Sequence, residues 1–159
     1  MPAVLFVCTA NRFRSVLAAH LFQHLIQEHH KEDEWKVGSA GIWAVPEQGA
    51  APFLLRFAAQ FGLDLQTHRS QAVTADLLEQ YDLILVMEKG QQEALSVEFP
   101  QVASRILTLG EAAEGIAYDI PEPRNSDERE MLGIALDLKR IIERGFDRIC
   151  TLALQQKHR

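Results

Sequence analysis

The sequence predicts a doubly wound α/β domain, a four-stranded parallel sheet flanked by helices on both faces. Two observations carry this. Wholly apolar runs recur along the chain, the pattern of strands buried on both faces of a parallel sheet. Stretches with helical periodicity separate those runs, which is the alternation of a βαβ architecture. The chain has 159 residues and shows no internal repeat, low-complexity tract or linker, so residues 1–159 read as a single domain.

Val4, Leu5, Phe6 and Val7 form the first run. After a short turn-like stretch, Leu17, Ala18, Leu21, Phe22 and Leu25 repeat at helical spacing up to Ile26, and polar residues 29–34 close the helix. Residues 35–41 read as a second strand ending in glycine, and residues 50–61 as a second amphipathic helix stopped by Gly62. Thr74 is placed to cap a short helix over residues 75–79. Leu83, Ile84, Leu85, Val86 and Met87 form the third strand, followed by a helix over residues 89–99 that Pro100 is expected to end. Residues 105–109 complete the sheet. A proline-bearing loop, residues 118–124, leads to a long C-terminal helix with Asn125 and Glu128 as its capping box and Gly145 as a weak point.

Composition narrows the function. A formal net charge of −6 argues against nucleic-acid binding, since phosphate backbones reward excess Lys and Arg. No apolar run approaches the length of a membrane span. The first residues lack the basic start of a signal peptide, so a cytoplasmic location is expected, with Cys8 and Cys150 reduced rather than paired. Within this acidic chain Arg12 and Arg14 form a basic island, the next acid being Glu28. That pattern suits a small anionic ligand. In doubly wound sheets ligands bind beyond the carboxyl ends of the strands, where Cys8 and the Met87-Glu88 pair both lie.

Cys8 and Arg14 bracket Thr9, Ala10, Asn11, Arg12 and Phe13 between the first strand and the first helix. The stretch has neither a Walker lysine nor the glycines of a dinucleotide fingerprint. A loop of this length can curl its backbone N–H groups onto one tetrahedral anion, aided by the helix N-terminus. Arg14 would grip two of the oxygens with its planar fork. The same positive field suits Cys8 as a nucleophile, with Ser15 donating a hydrogen bond to its sulfur. Asn11 tolerates the left-handed backbone that such a curl requires. The alternative is an inert strand-end cysteine beside an arginine that merely opens a surface helix. Displacement at phosphorus also needs a proton donor, and Asp119 and Glu122 are the carboxyls available in the 118–124 loop. Taken alone, that loop reads as a solvated acidic turn.

Together these residues resemble the low-molecular-weight protein tyrosine phosphatases, whose pattern is V-C-x-G-N-x-C-R-S-P near the N-terminus and D-P-aromatic near the C-terminus. Ser39-Ala40-Gly41, His68-Arg69-Ser70 and the Tyr81-to-Met87 strand are similar to further family segments, in matching order. The resemblance implies a phosphomonoester hydrolase, a protein (tyrosine) phosphatase whose substrates are phosphorylated proteins or small phosphoesters, acting through a cysteinyl-phosphate. It assigns Cys8 as nucleophile, Arg14 as phosphate clamp, Ser15 as partner of the sulfur and Glu122 as acid, with Asp119 the alternative. Ser39 and His68 would support the loop through Asn11. Phosphate or sulfate ions would occupy the loop, and no cofactor or metal is implied.

The departures from the pattern are specific. Ala10 replaces a glycine, which requires an ordinary backbone conformation there. Phe13 replaces a second cysteine and so removes a disulfide partner for Cys8. Glu122-Pro123-Arg124 stands for D-P-aromatic, so Arg124 removes an aromatic wall, and Arg12 occupies a pocket-shaping position. These changes point to a substrate other than a typical phosphotyrosine peptide, one carrying extra negative charge. Trp43 follows the second strand, where the family borders its substrate groove, but reads equally as partly buried packing. Tyr118 is a candidate for part of the missing wall. A catalytically weak phosphate-binding module and an arsenate reductase are the rival readings, the latter poorly served by Cys150 as the sole further cysteine. His20 and His24, one turn apart, are more simply a solvated helix face than a metal site.

Overall fold

A computed structural model describes residues 1–29, 34–124 and 127–157. In chain order the elements are β1 (Ala3–Cys8), α1 (Arg14–Glu28), β2 (Lys36–Gly41), α2 (Pro52–Ala59), α3 (Ala75–Glu79), β3 (Leu83–Val86) and α4 (Lys89–Glu98). A 3-10 turn over Pro100–Arg105 then leads to β4 (Ile106–Thr108), α5 (Leu109–Glu114) and α6 (Glu128–Lys157). The strands form one parallel sheet in the order β2-β1-β3-β4.

Strand alternation sorts the core into two layers. Val4, Phe6, Leu83 and Leu85 face one way and pack with α1, α2, α5 and α6, while Leu5, Val7, Ile84 and Val86 face α3, α4 and the 3-10 turn. Both faces are therefore covered, as the unbroken apolar runs require. The chain runs from β1 outward to β2 and then returns across β1 to β3. The winding thus reverses between β1 and β3, and their carboxyl ends, at Cys8 and Met87, open the crevice in which such sheets hold ligands.

Three details differ from the sequence expectation. Pro100 does not simply stop α4 but opens the 3-10 turn, since its missing N–H is no loss at a helix start. Leu109 is not the end of a strand but the first residue of α5, because Thr108 and Glu111 form a reciprocal capping box that starts a helix there. Gly145 does not weaken α6, which is continuous through it. A β-carbon there would lie 2.3 Å from that of Ala113, so the glycine is what lets α5 and α6 approach. The Asn125 capping box lies outside the described residues.

This contact is testable. Gly145→Val should lower the urea midpoint, by about 1–3 kcal/mol of stability, as overpacking does. Gly133→Ala on the same helix, where an added β-carbon meets nothing within 4 Å, should stabilise by up to about 1 kcal/mol through helix propensity.

Candidate active site

The site grows from the end of β1. Cys8 is the last residue of the strand and Arg14 the first of α1, so residues 9–13 make the whole turn between them. Asn11 sits at φ +57°, in the left-handed region, whereas Ala10 has no positive φ and needs no glycine. The turn is pressed against the end of β2. A β-carbon on Gly41 would lie 2.6 Å from the carbonyl oxygen of Thr9. Ile42 and Trp43 donate their N–H groups to the carbonyls of Cys8 and Thr9, each at 2.9 Å, so the next loop is stitched to this one.

Asn11 is fully buried and holds the turn from within. Its Oδ1 accepts the N–H of Gln71 at 3.0 Å, which fixes the amide orientation. Nδ2 then donates to Ser39 Oγ and to Ser15 Oγ, both at 2.9 Å. Ser15 Oγ lies 2.9 Å from Cys8 Sγ. Because Asn11 donates to the hydroxyl oxygen, the one hydroxyl proton stays available to the sulfur. On the other side the carbonyl of Asn11 accepts from His68 Nε2 at 2.8 Å, so this nitrogen carries the ring proton.

Arg14 is almost wholly buried. Nη1 donates to Glu88 Oε2 at 2.6 Å and to the Ile120 carbonyl at 2.7 Å, and Nη2 to Thr9 Oγ1 at 3.3 Å. Glu88 comes from the mouth of β3, where it caps α4. Gln91, also buried, accepts the N–H groups of Met87 and Glu88 and donates to Thr9 Oγ1 and Glu88 Oε2. A buried guanidinium needs both a counter-charge and filled hydrogen bonds, and this frame supplies them.

A cavity of about 280 Å³ opens over the turn, lined by Cys8, Ala10, Arg12, Phe13, Arg14, Ala51, Glu122, Pro123 and Met131. Glu122 Oε1 stands 3.8 Å from Arg14 Nη2. Arg12 is oriented by its Nε donating to the Gly49 carbonyl at 2.9 Å. Phe13 is buried and meets Phe53 edge-on, with ring centres 6.2 Å apart.

Other candidates lie elsewhere. Asp119 does not line the cavity: its Oδ1 accepts the Lys89 N–H at 2.8 Å, at the start of α4. Arg124 is 86% exposed and drawn to Glu130 at 3.6 Å. Trp43 is 81% exposed, because its backbone is pinned to Thr9 while its side chain projects outward, and it is not partly buried packing. Tyr118 turns to Glu114, and burial followed by that hydrogen bond pushes its hydroxyl up to about 12. His24 pairs with Glu28, and among the described residues no group of three or more His, Cys, Asp or Glu is placed to hold a metal ion. Cys150 is buried in the core stripe of α6 and forms no disulfide with Cys8.

The profile of the low molecular weight phosphotyrosine protein phosphatase family matches residues 3–156. The chain belongs to this family. It is 31% identical over 147 residues to the probable low molecular weight protein-tyrosine-phosphatase EpsP of Ralstonia solanacearum, covering 92% of each chain. Its fold matches the YwlE arginine phosphatase, solved as a cysteine-to-serine mutant with a phosphorylated active site serine, at TM-score 0.84, 25% identity and coverage of 98% and 95%. It matches the tyrosine phosphatase Wzb of Escherichia coli K30, solved with sulphate, at TM-score 0.81, 27% identity and coverage of 93% and 98%. The chain is therefore a hydrolase of the low-molecular-weight protein phosphatase class.

Sequence reasoning missed Glu88, Gln91 and Gln71. Glu88 was visible at a strand end beside the crevice, but nothing local ties it to Arg14, 74 positions away. Gln71 reaches Asn11 through its backbone N–H, a contact that carries no residue-type signal.

Two expectations follow. Glu88→Ala would strand the buried Arg14 and should cost about 2–3 kcal/mol, below the range for a fully buried pair because Glu88 is 33% exposed; chemical denaturation reads the loss, and Glu88→Gln, which keeps an acceptor, should cost less. His20 is held below the usual histidine value by burial, then by His68, with Asp64 opposing. The unfolded chain therefore binds this proton more tightly, so the stability contribution is complete above the unfolded value of 6.5 and is lost as pH falls below it. His20→Gln should flatten that acid limb in denaturation curves.

Proposed function

We propose that this phosphatase removes phosphate from phosphorylated protein substrates of the tyrosine class, with Cys8 as nucleophile, Arg14 as clamp and Glu122 as acid. The observation that carries the reading is the ordered chain from Asn11 through Ser15 to Cys8 at the base of a cavity that also holds Arg14 and Glu122. Cys8 Sγ attacks phosphorus while Arg14 and the loop N–H groups hold the non-bridging oxygens, whose charge they stabilise. Glu122 passes its proton to the leaving oxygen as the P–O bond breaks. Water then attacks the cysteinyl-phosphate with Glu122 as base, and the Ser15 hydroxyl steadies the departing sulfur. The expected setting is the cytoplasm, where a thiol nucleophile stays reduced.

The cavity wall supports the choice of substrate. Phe13, Ala51, Pro123 and Met131 are apolar and suit an aromatic leaving group. They take over the part expected of an aromatic residue at position 124. Arg12 on the same cavity favours acidic residues beside the phosphorylated one. It disfavours a phosphorylated arginine, the class for which the arginine phosphatase relatives are named, because a guanidinium leaving group would meet a like charge.

The test is turnover of phosphopeptides. Cys8→Ser should abolish phosphate release from a phosphotyrosine peptide. Phe13→Ala should lower kcat/KM on that peptide by roughly tenfold, as loss of an apolar contact does, while sparing small alkyl phosphates. Arg12→Ala should erase a preference for acidic flanks. Faster turnover of a phosphoarginine peptide than of a phosphotyrosine peptide would reverse the assignment.

A further inference from the structure

Glu122, the cavity's carboxyl, stands on a segment anchored two and three residues upstream. Glu122 itself is largely exposed, with 59% of its side chain accessible. Two positions before it, Ile120 is buried; its N–H donates to the Met87 carbonyl at 2.8 Å and its carbonyl accepts from Arg14 Nη1 at 2.7 Å. One position further back, the Asp119 carboxylate accepts the Lys89 N–H at 2.8 Å. Pro121, between these anchors and Glu122, and Pro123 just beyond it stiffen the backbone on both sides of the carboxyl. The three residues Met87, Glu88 and Lys89 thus hold both halves of the site. Glu88 steadies the clamp, and its two neighbours seat the acid loop.

We propose that Asp119 is a positioning residue for Glu122, latching the acid loop to the start of α4 and exchanging no proton with substrate. This rests on the reading of Glu122 as the proton donor. During the phosphorylation step the S–P bond forms, the P–O bond breaks and the proton on the Glu122 carboxyl goes to the leaving oxygen; the Asp119 carboxylate keeps its bond to Lys89 throughout. Its position at the first turn of a helix also makes the latch charge-assisted. A loop freed at Asp119 remains tethered at Ile120, so Glu122 would be misplaced rather than lost.

The measurement is the burst-phase rate of phenol release from two aryl phosphates. Phenyl phosphate has a poor leaving group that needs protonation, whereas dinitrophenyl phosphate has one that does not. Glu122→Gln should slow phenyl phosphate about 100-fold and dinitrophenyl phosphate only severalfold, as removal of a general acid does. Asp119→Ala should repeat this bias at smaller size, about tenfold against less than twofold, with KM almost unchanged. Asp119→Asn should restore the rate, because its amide oxygen accepts the same Lys89 N–H. A thermal melt of each variant checks that the fold is kept.

Each other outcome is decisive. If Asp119→Asn is as slow on phenyl phosphate as Asp119→Ala, Asp119 is itself the acid and the proposal falls. Equal slowing on both esters by Asp119→Ala would reduce the contact to general structure, and no slowing would remove it from catalysis. If Glu122→Gln shows no leaving-group bias, the assignment of Glu122 fails first, whatever Asp119 does.

Discussion

The buried charge of Arg14 is the constraint around which the rest of the site is arranged. A guanidinium with almost no solvent contact must have its donors filled by the protein. Here the fillers come from three separate stretches: Glu88 beyond β3, the Ile120 carbonyl of the 118–124 loop, and Thr9 of the turn itself. Satisfying one cation therefore fixes the relative placement of the Cys8-to-Arg14 turn, the crevice wall and the segment that carries Glu122. The sheet makes this possible, because its winding reverses between β1 and β3 and so sets their carboxyl ends side by side.

The turn has a second, independent support. Asn11 is strained towards the left-handed region, and its amide answers Ser15, Ser39 and the Gln71 N–H at once. That exchange puts the backbone cost at one residue whose side chain can offset it. It also explains why alanine is tolerated at position 10, for which the resembled pattern has glycine: the unusual dihedral falls on Asn11 alone of the two. Phe13, in the place of a second cysteine, is turned into the apolar layer against Phe53 and gives the cavity part of its wall. A position that the family pattern gives to cysteine thus serves here as apolar cavity wall.

Much of this was legible beforehand, and for a physical reason. Apolar runs, helical periodicity and capping residues act over a few neighbouring positions, so β1, β3, α1 and the Thr74 cap could be read directly. The Cys8-to-Arg14 bracket was legible for the same reason, its chemistry being packed into a single turn. Even α5 had a local signal, the Thr108 and Glu111 capping box, obscured by the apolar strand running into it. Gly145 was misjudged because propensity sees only its own helix, whereas the residue answers to Ala113 on another.

What the sequence by itself determined is therefore the doubly wound class, the strand–turn–helix that carries Cys8, Arg14 and Ser15, and the two carboxyls available as acids. What only the tertiary structure decided is how those pieces face one another. The pairing of Arg14 with Glu88, the part of Gln71, the outward turn of Trp43 and Arg124, and the choice of Glu122 over Asp119 as the cavity's carboxyl all depend on which strand ends lie together. Residue type states what a side chain can do; the packing of distant segments sets which partner reaches it first.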